Sequence, residues 1–545
     1  MNEERDVNGA IQAGHARKRL RDLMSGGGFR CGVELVTTRG LPVQDQPYPA
    51  EELGKALAGD ARIGWLSITD NAGGKPMLPA GWLAGMLADR KVELVLHLTC
   101  KDLNRNALES LAWRYAAEGF HNVLALTGDY PAGGFHGAGK PVFDLDSVSL
   151  IALLDAMNHG LPVAEAKHGG GRSPCTDFFI GCTVSPFKRH ERELMPQYFK
   201  LARKLHSGGR WVIPQLGYDM RKFHEIGLFM QWAEVQAPLV GNVFVLNRAS
   251  AAHFHHNQVP GCVVSERLHA LCEWYSKGAD KGRDFFLELA ARQLAVFKGM
   301  GWEGASIGGV HRPETVQEIF ARAARYGEKD WMIFAKEIQY SQPGEFYLFE
   351  ADPETGLGMG DRLNPQYAAA LGAQAAGGQA PLGYRLNRRV HAEFFEPGQG
   401  QFAHVQRLYA MLEARGDTLA SRALHRLEQA TKRVAFGCEG CGDCSLPETA
   451  FQCPRRACVK ATRNGPCGGS FDGQCEVDGR ACMWAKAYDR LKAYGEAESM
   501  LDGPAVFHNG DLDGSDSWAN FFLGRDHHGV QVPQDHAEDK GGAAP

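Results

Sequence analysis

Eight of the 14 cysteines in this 545-residue chain fall between Cys438 and Cys482, and their spacing is the strongest chemical signal in the sequence. They run Cys438-x2-Cys441-x2-Cys444-x8-Cys453-Pro454, then Cys458, Cys467, Cys475 and Cys482. Thiols crowded this densely in a large chain read as metal ligands rather than as a disulfide framework. Tetrahedral zinc usually takes separated C-x2-C pairs. Three cysteines at C-x2-C-x2-C with a later Cys-Pro instead follow the bacterial iron–sulfur run, although the last gap is eight residues rather than three. Such a loop presents three thiolates to one face of a cubane, and a distant cysteine closes it. Eight thiols suffice for two 4Fe-4S clusters, or for one cluster and a zinc site, and zinc alone is the alternative.

The elements that must position this chemistry come from the rest of the chain. Hydrophobic residues make up 44% and charged residues 23%, the balance of a chain that buries cores, which excludes global disorder. Net charge is -5 with no long basic run, so a nucleic-acid or membrane-surface role has no electrostatic footprint. No apolar run reaches the length of a membrane span, and the start of the chain lacks a signal-peptide stretch, which leads to a cytoplasmic expectation. Eight short apolar runs begin at Cys31, Ile63, Val92, Asn122, Phe178, Arg210, Asn242 and Gly304. They alternate with amphipathic stretches, as parallel strands buried on both faces do. Eight such repeats over about 290 residues predict a (β/α)8 barrel, with a doubly wound sheet as the alternative. The expected organisation is a lead-in over 1–30, a barrel over 31–345, a linker and helical segment over 346–435, a cysteine-rich module over 436–495 and a disordered tail over 496–545.

Within the barrel, the segment LHLTCKDLNRNALESLAWRYAAEGFHNVLALTGDYP (96–131) closely resembles the methylenetetrahydrofolate reductases through its HLTC and ALTGDYP pieces. The cysteine module, with its CP and NGPCGG pieces, resembles the metal-binding region that accompanies some bacterial reductases of this type. The resemblance implies a (β/α)8 barrel that binds FAD at its mouth and interconverts methylenetetrahydrofolate and methyltetrahydrofolate. It further implies Glu34 as the acid that protonates the folate nitrogen while the methylene bridge opens. A carboxyl group buried at a barrel mouth suits that role, because desolvation raises its pKa. Asp129 is implied beside flavin and pterin, and Thr69, His97, Leu126, Thr127 and Gly128 at flavin-contacting positions. Arg203 and Lys204 fit the family's basic pair on the helix after the fifth strand. Gln215 is implied as a folate ligand, its amide supplying donor and acceptor, and Phe254 as a ring stacking on the pterin. Two departures stand out: Thr127 replaces the family's arginine, and the fifth-strand loop lacks its histidine and aspartate.

These readings point to a folate one-carbon oxidoreductase with NAD(P)H as the default electron donor and ferredoxin as a further redox partner, assembled as a homo-oligomer. A tetrahydrofolate-dependent methyltransferase and a non-catalytic electron-relay subunit are the competing readings. Three motifs are decoys. GFHGAGK (134–140) is followed by Pro141 where a P-loop needs Ser or Thr. DLDGSD (511–516) has Phe522 where a calcium loop needs Glu. HFHH (253–256) reads as a solvated loop after the seventh strand.

Overall fold

The structure is a computed structural model describing residues 19–43, 46–163, 171–372, 380–416, 418–501 and 503–529. Eight parallel strands carry its core: β1 Arg30–Leu35, β2 Ile63–Ile68, β3 Glu93–Thr99, β4 Asn122–Leu126, β5 Phe179–Val184, β6 Trp211–Pro214, β7 Val240–Phe244 and β8 Gly304–Gly308. Each matches one of the apolar runs of the sequence. Their order is β6-β5-β4-β3-β2-β1-β8-β7, and a parallel bridge between Val212 and Leu239 closes β6 onto β7. This is the (β/α)8 barrel that the alternation predicts. The helices over the barrel are α2 Pro49–Leu57, α3 Ala80–Leu87, α4 Arg105–Ala117, α5 Ser147–Asn158, α6 Glu191–His206, α7 Met220–Trp232, α8 Arg248–His255, α9 Glu266–Tyr275, α10 Arg283–Gly299, α11 Pro313–Ala323 and α12 Asp330–Glu337. The histidines of HFHH thus close a helix, α8, rather than lying in a loop.

Strand residues alternate between two cores. Val33, Leu66, Leu96 and Val123 face the helices, while Trp65, Val95, Leu124, Trp211 and Val240 form a separate cluster within the barrel. The two tryptophans fit because their neighbours have no side chain: a Cβ on Gly32 would sit 2.0 Å from the Trp65 indole, and one on Gly181 2.3 Å from Trp211. A short helix, α1 Leu20–Ser25, plugs the floor by adding Leu20 and Met24 to this inner cluster. The end of the lead-in is therefore part of the barrel core. Residues 1–18 lie outside the described residues.

Beyond the barrel, part of the expected linker is a hairpin, Phe349–Ala351 with Gly358–Leu363, packed on α7. Helices α13 Pro365–Gly372, α14 Leu382–Phe394, α15 Phe402–Ala414 and α16 Leu419–Phe436 lead into the cysteine module, which holds α17 Pro454–Ala457 and α18 Met483–Lys492. The expectation of a disordered tail is corrected over 496–529. That segment ends in α19 Ser517–Phe522, whose Phe522 stacks on Tyr409 and Phe395. Asp516 caps α19 through the amides of Trp518 and Ala519. Aromatic burial outweighs the polar composition of this stretch; residues 530–545 lie outside the described residues. Among the described residues no helix is long and apolar enough to cross a membrane.

Candidate active site at the barrel mouth

Glu34, Ser67 and His97 belong to the inward-facing sets of β1, β2 and β3, with Glu34 paired in register to Ser67. Ser67 Oγ and His97 Nε2 share a 2.8 Å hydrogen bond. Burial pushes the His97 imidazole down to about 4, so it is neutral at ordinary pH. Among the described residues Glu34 has no ion partner. Its Oε1 lies 3.4 Å from the Cβ position of Gly308, and desolvation pushes its pKa up to about 6. A carboxyl so placed is protonated in about one molecule in ten at neutral pH and in half near pH 6, far more than an unperturbed glutamate, which suits a general acid.

Asp129 follows β4 in the turn opened by Gly128 at φ +89. Its Oδ2 accepts a 2.9 Å hydrogen bond from the Gly73 amide, tying the turn to the loop after β2. Asp129 and Glu34 converge: both charges act on the buried Cys262 thiol, which desolvation in the first place pushes up. Gln215 is half-buried just past β6, and its Oε1 accepts from the Leu216 amide. Phe254 is buried edge-on against Phe244, 5.2 Å between centroids. It borders a cavity of about 130 Å³ with Cys262 and Phe471. A larger open hollow, beside Trp113 and Cys175, lies on the outer wall and touches none of these residues.

The cysteine module is clamped across this mouth. Asp146, the N-cap of α5, accepts from the amides of Arg463 (3.1 Å) and Asn464 (2.9 Å). Lys200 donates to Gly465 O at 3.1 Å, and Lys188 to Gly468 O at 2.6 Å. Lys460 reaches into the mouth, donating to Gly128 O at 2.9 Å and pairing with Glu476 at 2.5 Å. Burial disfavours the Lys460 charge, but Cys467, Glu476 and Asp129 outweigh it and raise its pKa. Lys460, Lys188 and Asp146 were not legible as site residues, since none lies in a motif.

The FAD implied by the family meets a divided site. At the ring end, Thr69 Oγ1 is buried with no hydrogen-bond partner among the described residues, and His97 and Leu126 belong to the barrel interior. The phosphate end does not fit. Arg203 donates to Asn464 Oδ1 (3.2 Å) and Pro504 O (2.9 Å), and Lys204 to Thr183 O (2.5 Å). Both are buried, and desolvation pushes Lys204 down to about 8. Thr127 turns toward α5 and bonds Ser147 at 3.2 Å. The structure thus commits Arg203, Lys204 and Thr127 to fold contacts rather than to a cofactor phosphate, because the NGPCGG segment covers that side of the mouth.

The electrostatic influence of the thiols on one another divides them four and four. Cys438, Cys441 and Cys444 each influence Cys453 electrostatically, and Cys458 influences Cys467, Cys475 and Cys482. Burial raises the pKa values of Cys444, Cys453, Cys467, Cys475 and Cys482, while backbone amides such as those of Leu446, Arg456 and Gly469 oppose it by hydrogen-bonding to sulfur. Lys432 stands beside the first group and Lys460 beside the second. Two quartets with amide donors and a nearby cation fit the charge and hydrogen-bonding needs of two iron–sulfur clusters.

Comparison with known proteins matches a barrel segment and a C-terminal segment separately. The methylenetetrahydrofolate reductase family profile matches residues 51–271, and a profile described as the methylene-tetrahydrofolate reductase C terminal matches 418–507. The 5,10-methylenetetrahydrofolate reductase of Salmonella typhimurium strain LT2 is 26% identical over 133 residues, which is 24% of this chain and 37% of that protein. The match thus spans little more than a third of the relative. Solved structures align at low similarity. An uncharacterized protein from Clostridium thermocellum that binds two copies of 5-methyl-5,6,7,8-tetrahydrofolic acid is 10% identical, with TM-score 0.41, over 56% of this chain and 96% of its own. A 2,3-dimethylmalate lyase is 11% identical, with TM-score 0.32, over 56% and 82%. The chain carries a barrel domain of the methylenetetrahydrofolate reductase family joined to a reductase C-terminal domain.

Proposed function

We propose that the barrel interconverts 5,10-methylenetetrahydrofolate and 5-methyltetrahydrofolate, with Glu34 as the proton donor and acceptor. The observation that carries this reading is the placement of two carboxylates at one mouth: Glu34, desolvated and without an ion partner among the described residues, and Asp129, hydrogen-bonded to the Gly73 amide. In the reducing direction Glu34 delivers its proton to the folate nitrogen as the methylene bridge opens to an iminium. Conversion of that iminium to the methyl group takes two electrons from the reduced donor and one further proton from solvent; in reverse Glu34 receives its proton and the acceptor takes the electron pair. Asp129 accepts from the pterin edge, and Gln215 offers both hydrogen-bonding senses beside it. His97, neutral and bonded to Ser67, contributes a dipole and no charge.

The quartets Cys438/Cys441/Cys444/Cys453 and Cys458/Cys467/Cys475/Cys482 would hold the two 4Fe-4S clusters, which supply electrons one at a time when bound. Lys460 joins the second quartet to the TGD turn, so that quartet is the one electrostatically linked to the mouth. Coverage of the family's phosphate site by residues 463–465 favours electrons arriving through the module over a dinucleotide lying across the mouth, and ferredoxin over NAD(P)H as the donor. Titration calorimetry with 5-methyltetrahydrofolate tests the site. Micromolar binding, weakened about tenfold or more in Asp129→Ala, is expected. No heat at millimolar folate overturns the reading.

A further inference from the structure

Beyond the barrel and the cysteines, the C-terminal segment folds back to place two adjacent histidines on one carboxylate. His528 Nε2 lies 2.7 Å from Glu448 Oε1, and His527 Nε2 lies 3.6 Å from the same oxygen. The other nitrogen of each ring is already engaged: His527 Nδ1 is 2.5 Å from Asp443 Oδ1, and His528 Nδ1 is 3.1 Å from Asp526 Oδ2. Asp443 and Asp526 are buried, with side chains 0% and 1% exposed. A carboxylate behind each imidazole fixes its tautomer and aims the opposite nitrogen forward, the arrangement that supports histidine ligands of zinc. His527 has a side chain only 9% exposed, and among the described residues its Nε2 lacks a hydrogen-bond partner, as does the buried Glu448 Oε2. Unpartnered polar atoms converging at one buried point ask for a ligand.

We propose that His527 Nε2, His528 Nε2 and Glu448 form a divalent-cation site of zinc type, separate from both cysteine quartets. Two imidazoles and a carboxylate suit zinc and leave a coordination position for water. His528 is about one-third exposed, which gives the ion a way in from solvent. The site is joined to the first quartet through Asp443, which lies between Cys441 and Cys444. The Asp443 carbonyl is 3.2 Å from Cys441 Sγ, and its Oδ2 accepts from the Asn509 amide at 2.7 Å. A bound ion would therefore pin residues 508–528 against the loop that carries three thiols.

The test uses the full chain, purified anaerobically, treated with chelator, reloaded with zinc alone and desalted. One zinc per chain should remain, and zinc-edge X-ray absorption should show only nitrogen and oxygen neighbours at about 2.0–2.2 Å. The H527A/H528A double variant should lose that zinc. Asp526→Asn, which alters only the orienting partner of His528, should weaken retention about 10–100-fold with iron content unchanged. A sulfur shell at about 2.3 Å would place the ion on the cysteines and overturn the proposal. So would failure of the wild-type chain to retain zinc above the double variant.

Discussion

Glu34 shows how one strand residue acquires its chemistry. The resemblance singled out the residue, but the cause of its raised pKa is visible only in the fold, where Gly308 leaves room beside it and, among the described residues, no cation reaches it. Glu34→Gln should preserve folate binding and lower the folate reaction by about 10²-fold or more, measured in single-turnover mixing. The pH dependence follows from the same shift. Reduction needs the protonated form, so its rate should fall as pH rises through about 6, and oxidation should rise there. That inflection should vanish in the Gln variant. Stability follows with its own sign. Folding raises this pKa from 4.5, so the group's stabilising contribution is complete below pH 4.5 and is lost as pH rises through about 6. By contrast, Arg203 and Lys204 were legible as a basic pair, yet their true partners are carbonyl and amide oxygens about 260 to 300 residues away or on the adjacent strand. Residue type shows what a side chain can bind, and tertiary contacts decide what it does bind.

The same contrast holds for elements. All eight barrel strands were legible because each is an apolar run buried on both faces, a pattern local to the chain. The docking of the module was not, since its contacts leave no period in the sequence. Asp146 illustrates this: one oxygen caps α5 and the other holds the Arg463 and Asn464 amides. Burial alone would raise its pKa, but Lys200 and the amides outweigh it and hold it low. Its contribution is thus present at neutral pH and is lost as pH falls through that lowered value. Asp146→Ala should cost about 2–4 kcal/mol, the sum of a lost cap and lost charged hydrogen bonds, and thermal unfolding would record it. The C-terminal segment was misjudged because its Gly, Asp and His residues hide the aromatic anchors Trp518, Phe521 and Phe522. Phe522→Ala should cost about 3–5 kcal/mol in denaturant unfolding, given its burial against Tyr409 and Phe395.

At the scale of the molecule, the barrel supplies the carboxylates and the module supplies the thiols, and Lys460 links them across 332 residues of sequence. The division into two quartets predicts that Cys441→Ser and Cys467→Ser each remove about half of the iron and acid-labile sulfide of the anaerobically purified chain. The most direct measurement of the central claim is turnover of folate by that chain. Incubated with 5,10-methylenetetrahydrofolate and a reduced low-potential viologen, the wild-type protein should form 5-methyltetrahydrofolate over many cycles, resolved by chromatography. The Glu34→Gln protein, assayed alongside, should be slower by about 10²-fold. A wild-type chain with its full complement of iron that forms no 5-methyltetrahydrofolate, and returns no 5,10-methylenetetrahydrofolate when offered the methyl form with an oxidised viologen, would contradict the account.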